Sequence, residues 1–154
     1  MDTTTLESVR LIGLALKTKT RNADGQSGID CGSLWQEFGA GDYAAKVPGK
    51  LGDEIYAVYH DYEGDHTGLF SFFIGFRVAP GSEAPEGMTD LTIPAGTYEK
   101  FTAKGKMPDC VADTWKKIWT LEMPRAYQAD FEVYGQLSHD WSNAEVDIFI
   151  GVKA

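Results

Sequence analysis

The sequence predicts an α+β fold, a curved antiparallel sheet with two helices on one side, built from two copies of a strand-helix-strand-strand unit. Three observations predict it. Ile55-Tyr56-Ala57-Val58-Tyr59 lies 75 residues before Asp130-Phe131-Glu132-Val133-Tyr134. Phe73-Ile74-Gly75 lies 76 residues before Phe149-Ile150-Gly151, and one residue of slack in a loop reconciles the two offsets. Each pair of segments follows a stretch of helical periodicity that carries a tryptophan, Trp35 in the first half and Trp115, 80 residues later, in the second.

The elements follow in chain order. Residues 9–18 read as the first strand. Cys31, Leu34, Trp35 and Phe38 recur at i, i+3, i+4 and i+7, the spacing of one helix face, with Gly39 and Gly41 as stop signals. The two strands of the first half then flank the polar loop Asp61-Tyr62-Glu63-Gly64-Asp65-His66. A Pro- and Gly-rich stretch, 79–88, joins the halves. Residues 96–103 read as the next strand. Val111, Trp115, Ile118 and Trp119 mark the second helix, opened by Pro108 and Asp109 and followed by Pro124. The last two strands flank residues 136–143. The whole reads as a single domain, 1–154, with pseudo-repeats over about 6–78 and 90–154.

Composition narrows the function. Apolar residues make up 43% of the 154, enough for a core. Twenty-three acidic against 14 basic side chains give a formal charge of −9, which argues against direct binding of nucleic acid and favours the approach of cations. The plain alternative is that acidity only serves solubility. Cys31 and Cys110 form no CxxC, and His60, His66 and His139 lie apart from them in sequence, so neither a metal nor a cofactor is expected. The early apolar run, Leu11 to Leu16, is too short for a membrane span and lacks a signal-peptide layout, which points to a cytoplasmic protein.

Strand alternation sorts the side chains. Val146, Ile148, Ile150 and Val152 are expected under the helices, with Asp147, Phe149 and Gly151 on the free face. Phe131 and Val133 are also assigned to the helix side, leaving Glu132, Tyr134, Ala57 and Tyr59 on the free face with Phe73. The halves differ there in charge: Glu132 stands where its repeat partner is Ala57. The candidate ligand-binding residues are Glu132, Tyr134, Tyr59, Phe73 and Phe149, with Trp35, Tyr98 and Trp119 from neighbouring elements. A carboxylate among aromatic rings suits an organic cation, which gains from both the charge and the ring faces. Asp147 is a second candidate carboxylate. The alternatives are an exposed Glu132 salt-bridged to a lysine or arginine, and aromatic side chains that are simply core.

The strands quoted above, the Ile93-Pro94-Ala95-Gly96-Thr97-Tyr98 segment and the Asp-Phe-Glu-x-Tyr strand after a Trp-rich helix resemble the GyrI-like effector-binding family. That family includes effector domains of AraC-type and MerR-type multidrug regulators and stand-alone integron-cassette proteins, and the resemblance covers nearly the whole chain. It implies a grooved pair of repeats and lipophilic cations as ligands, with a glutamate at the position of Glu132. Many relatives carry Trp-Leu-Pro after the second helix, where this chain has Glu122-Met123-Pro124. No helix-turn-helix is expected beside the duplicated unit, so a ligand-binding protein without its own DNA-binding domain is the leading reading. Two others stand beside it. One is a hydrolase of strained electrophiles with Glu132 as general base, which the resemblance suggests and burial of the acid would support. The other is a protein-interaction domain resembling gyrase inhibitors, with gyrase or a regulator as partner.

Overall fold

A computed structural model of the chain describes residues 2–64 and 67–153. Asp65 and His66, singled out above in the first hairpin loop, lie outside the described residues. The elements are β1 (Asp2–Leu6), β2 (Val9–Ala15), α1 (Gln26–Ala40), a one-turn α2 (Tyr43–Lys46), β3 (Lys50–His60), β4 (Ser71–Val78), β5 (Thr89–Ile93), β6 (Gly96–Gly105), α3 (Asp109–Thr120), β7 (Arg125–Tyr134) and β8 (Ala144–Val152). The strands form one antiparallel sheet in the order β1-β6-β8-β7-β3-β4-β2-β5. This is the duplicated α+β architecture that the sequence predicts, curled into a half-barrel.

The two repeats meet at the β3–β7 pair. Ala57 stands directly opposite Glu132 there, with Val58 opposite Phe131 and Tyr59 opposite Asp130. Because the two strands run antiparallel, Ala57 and its repeat equivalent Glu132 face each other at the centre of the sheet, and the remaining equivalents diverge on either side of that pair. Outward from that pair run β4 and β2 on one side, β8 and β6 on the other. The edges are exchanged: β1 pairs with β6 of the second half, and β5 pairs with β2 of the first. Neither edge strand is legible in the sequence. Each has five residues, and their threonine-rich runs carry little hydrophobic alternation. The four-residue α2 escapes for the same reason of length.

Two cores cover the helix side of the sheet. Leu34 and Phe38 of α1 pack with Ile12, Leu14, Phe72, Ile74 and Phe76. Cys110 and Ile118 of α3 pack with Ala103, Val146, Ile148 and Ile150. Of the stripes that periodicity announces, Leu34 and Phe38 of α1 and Ile118 of α3 are buried, and full burial of a side chain such as Ile118 contributes about 1.5–3 kcal/mol. A third core fills the opposite face, with Leu11, Val58, Phe73, Ile93, Tyr98, Ala129 and Phe131. It unites β2 with β6 although four strands separate them, so the sheet must curl onto itself. The repeated glycines permit close backbone approach: a Cβ on Gly75 would stand 2.5 Å from the Ile12 carbonyl oxygen, and one on Gly151 2.8 Å from that of Ala129.

The structure corrects the assignment of faces. Val146, Ile148 and Ile150 do lie under α3, but Glu132 pairs in register with Ile148, and Phe131 with Phe149. Cross-strand partners share a face. Glu132, Tyr134, Tyr59 and Ala57 therefore lie on the helix side, while Phe131 and Val133 join Phe73 and Phe149 in the opposite core. Sorting each strand without its register produced the error.

Candidate functional site

The helix-packing cores leave a gap over the centre of the sheet. Between α1 and α3, above the β3–β7 pair, lies a cavity of about 550 Å³, within the range typical of small-molecule sites. Its floor is Tyr59, Glu132 and Tyr134. One wall is the α1 face of Ser27, Gly28, Cys31, Gly32 and Trp35; the other is Val111, Ala112, Trp115, Lys116 and Trp119 of α3. Met107 and Pro108, ahead of α3, and Asn22, Tyr62, Phe70 and Arg125 complete it. Trp119 remains 38% exposed on this wall.

Glu132 is 1% exposed. Among the described residues its three hydrogen-bond partners are neutral donors: Tyr134 Oη donates to Oε1 at 2.6 Å, Trp115 Nε1 to Oε2 at 2.5 Å, and Tyr59 Oη to Oε2 at 3.1 Å. Among the described residues no lysine or arginine forms an ion pair with it. Burial pushes its pKa above the ordinary 4.5, while the bonds from Tyr134, Trp115 and Tyr59 hold it down. Hydrogen bonds to a charged group are worth about 1.5–3 kcal/mol each, so this set stabilises the carboxylate without neutralising it.

The donors are arranged by the duplication. Trp35 of the first half stands edge-on to Tyr134 of the second, with centroids 5.1 Å apart at 79°. Trp115 of the second half stands edge-on to Tyr59 of the first, at 5.2 Å and 67°. Two tryptophan–tyrosine pairs, each spanning both halves, thus surround one acid near the local two-fold. Burial raises the phenols of Tyr59 and Tyr134 well above their usual range, and the neighbouring Glu132 raises them further. Both remain donors at neutral pH. Burial and then Glu132 push the Cys31 thiol up to about 12, which keeps it protonated and a poor nucleophile.

A second acid on the same strand behaves differently. Asp130, 0% exposed, accepts from Arg125 Nη2 at 2.6 Å, Tyr62 Oη at 2.6 Å and the Gly151 backbone N–H at 2.8 Å. A bulge between Arg125 and Asp130, with Tyr127 at φ 52°, accompanies this contact. Burial pushes the Asp130 pKa up and Arg125 opposes the shift.

The other candidates are dispersed. Phe73, Phe149 and Tyr98 lie on the opposite face, where Phe149 stacks on Phe131 at 4.8 Å and Tyr98 Oη donates to the Pro94 carbonyl at 2.6 Å. Asp147 is a surface acid that accepts from Thr102 and lies 3.8 Å from Lys100 Nζ. His60 is half-buried, with its pKa lowered by desolvation, and His139 is exposed. The cavity therefore gathers Glu132, Tyr134, Tyr59, Trp35 and Trp119, not Phe73, Phe149 or Tyr98. Trp115 was missed as a site residue, although its repeat relation to Trp35 was a usable signal. Gly28, Gly32 and Tyr62 had none.

A family model, described as Cass2, integron-associated effector binding protein, matches residues 3–152. The chain belongs to this family. Its similarity to individual effector-binding and regulator proteins is consistent with that. It is 30% identical over 125 residues to the putative transcriptional regulator protein YobU of Bacillus subtilis, covering 79% of this chain and 78% of that one. It is 30% identical over 132 residues to the transcriptional regulator BrlR of Pseudomonas aeruginosa, covering 81% of this chain but only 47% of BrlR. Among solved structures, the Vibrio cholerae integron cassette protein VCH_CASS2 has a TM-score of 0.75 and 26% identity, covering 99% of this chain and 95% of that one. SAV2435, solved bound to tetraphenylphosphonium, shares the fold with a TM-score of 0.76 at 16% identity, covering 99% and 93%. No helix among the described residues is long and apolar enough to cross a membrane.

Proposed function

We propose that this effector-binding protein takes up a hydrophobic organic cation, with Glu132 as the counter-charge and the Trp35–Tyr134 and Trp115–Tyr59 pairs as the surrounding aromatic wall. The observation that carries the reading is a carboxylate buried to 1% exposure, bordering a cavity of about 550 Å³, with hydrogen-bond donors but no basic partner among the described residues. A cation within about 4 Å of that acid gains roughly 4 kcal/mol at an effective dielectric constant near 20, and each ring face adds about 0.5–2 kcal/mol. An anion would meet the same field as repulsion. The binding of tetraphenylphosphonium by SAV2435, which has the same fold, supports the choice of ligand class. The net charge of −9 supports it too, and argues against direct DNA contact by the described elements.

The test uses two ions of one shape and opposite charge. Tetraphenylphosphonium should quench tryptophan fluorescence saturably, because Trp35, Trp115 and Trp119 all border the cavity. Tetraphenylborate should bind at least about 100-fold more weakly, the equivalent of about 2.7 kcal/mol. Equal affinities for the two ions would refute the proposal.

A further inference from the structure

Helix α1 contains three glycines, Gly28, Gly32 and Gly39. Glycine is the poorest helix former after proline, so each interior glycine invites a reason. Backbone conformation supplies none, since none of the three has a positive φ. Packing supplies none either: a methyl group added at Gly28, Gly32 or Gly39 would meet no atom within 4 Å. Position separates them. Gly39 sits in the last turn before the Gly41 cap and away from the cavity, whereas Gly28 and Gly32 are one turn apart on the same helix face and both border it. The facing wall is bulky, with Val111, Trp115 and Trp119 of α3. The α1 wall is thus pared to backbone at Gly28 and Gly32.

We infer that Gly28 and Gly32 are specificity-determining residues: the bare α1 backbone is a bearing surface for one face of a bulky, rigid, multi-ring cation, pressed there by the tryptophan wall of α3. The two glycines set the size limit of the site, and Glu132 sets its charge. The inference rests on the cation-binding reading above and deepens it from charge to shape.

The experiment compares Gly28→Ala, Gly32→Ala and, as a control, Gly39→Ala, each titrated with tetraphenylphosphonium and with the much smaller N-methylpyridinium. All three substitutions should raise the melting temperature by about 2–4 °C, because alanine is the better helix former. Gly28→Ala and Gly32→Ala should weaken tetraphenylphosphonium about tenfold through overpacking and leave N-methylpyridinium within about twofold. Gly39→Ala should leave both affinities unchanged. Full tetraphenylphosphonium affinity in Gly28→Ala and Gly32→Ala, with wild type binding normally, would overturn this inference alone. A wild-type protein that binds neither cation would overturn it together with the charge reading.

Discussion

Asp130 and Glu132 stand two residues apart on β7, on one face of one strand, and both are essentially out of contact with solvent. Each accepts three hydrogen bonds. They differ in one respect: among the described residues, Asp130 has a guanidinium as a partner, and Glu132 has two phenols and an indole. An acid neutralised by Arg125 ties the β7–β8 bulge together. An acid held by neutral donors has no counter-charge of its own among the described residues, and burial raises its pKa while those donors oppose the shift. The first arrangement serves the fold and the second, on the proposed function, serves recognition; sequence spacing alone does not distinguish them.

The largest expected effect breaks the structural member of the pair. Asp130→Asn leaves Arg125 buried without its counter-ion and should cost about 3–5 kcal/mol in urea unfolding. A loss below about 1 kcal/mol would mean that the ion pair is not structural. The recognition member should instead show itself in pH dependence. The folded pKa of Glu132 is raised above the unfolded value near 4.5, so its contribution to stability is fully present below 4.5 and is lost as pH rises through the folded pKa. Cation affinity runs the opposite way: it should fall about tenfold per pH unit below the folded pKa, as the carboxyl protonates. Calorimetric titrations across that range check the sign, and a flat profile that persists in acid would remove Glu132 from the account.

Smaller effects sharpen the contrast. Trp115→Phe keeps the ring but deletes the indole donor to Glu132, and should cost about 1.5 kcal/mol of stability at neutral pH. Glu132→Gln should change stability by less than about 1 kcal/mol, because an amide needs no counter-charge and can still accept from Tyr59 and Tyr134. A collapse of the fold in Glu132→Gln, matching that of Asp130→Asn, would erase the distinction between the two acids.

The duplication was legible because it repeats a physical pattern. The β3 and β7 segments share strand alternation, Gly75 and Gly151 mark the same close approach, and Trp35 and Trp115 sit on matching helix stripes. Glu132 stood out for the same reason, as a charge opposite an alanine. The face of the sheet was not legible, because side-chain alternation fixes a strand's two sides only relative to each other. Register with Ile148 decides the matter, and register is a tertiary fact. Phe73 and Phe149 were drawn into the site by that error. Gly28 and Gly32 escaped notice because absent side chains leave no hydrophobic signal.

The central claim is that the unpaired charge of Glu132 selects the ligand. Calorimetric titration of tetraphenylphosphonium into wild type and Glu132→Gln, both folded and at neutral pH, tests it most directly. The account predicts a loss of about 10- to 100-fold in the variant, equivalent to about 1.4–2.7 kcal/mol. Equal affinity in the two proteins would contradict it.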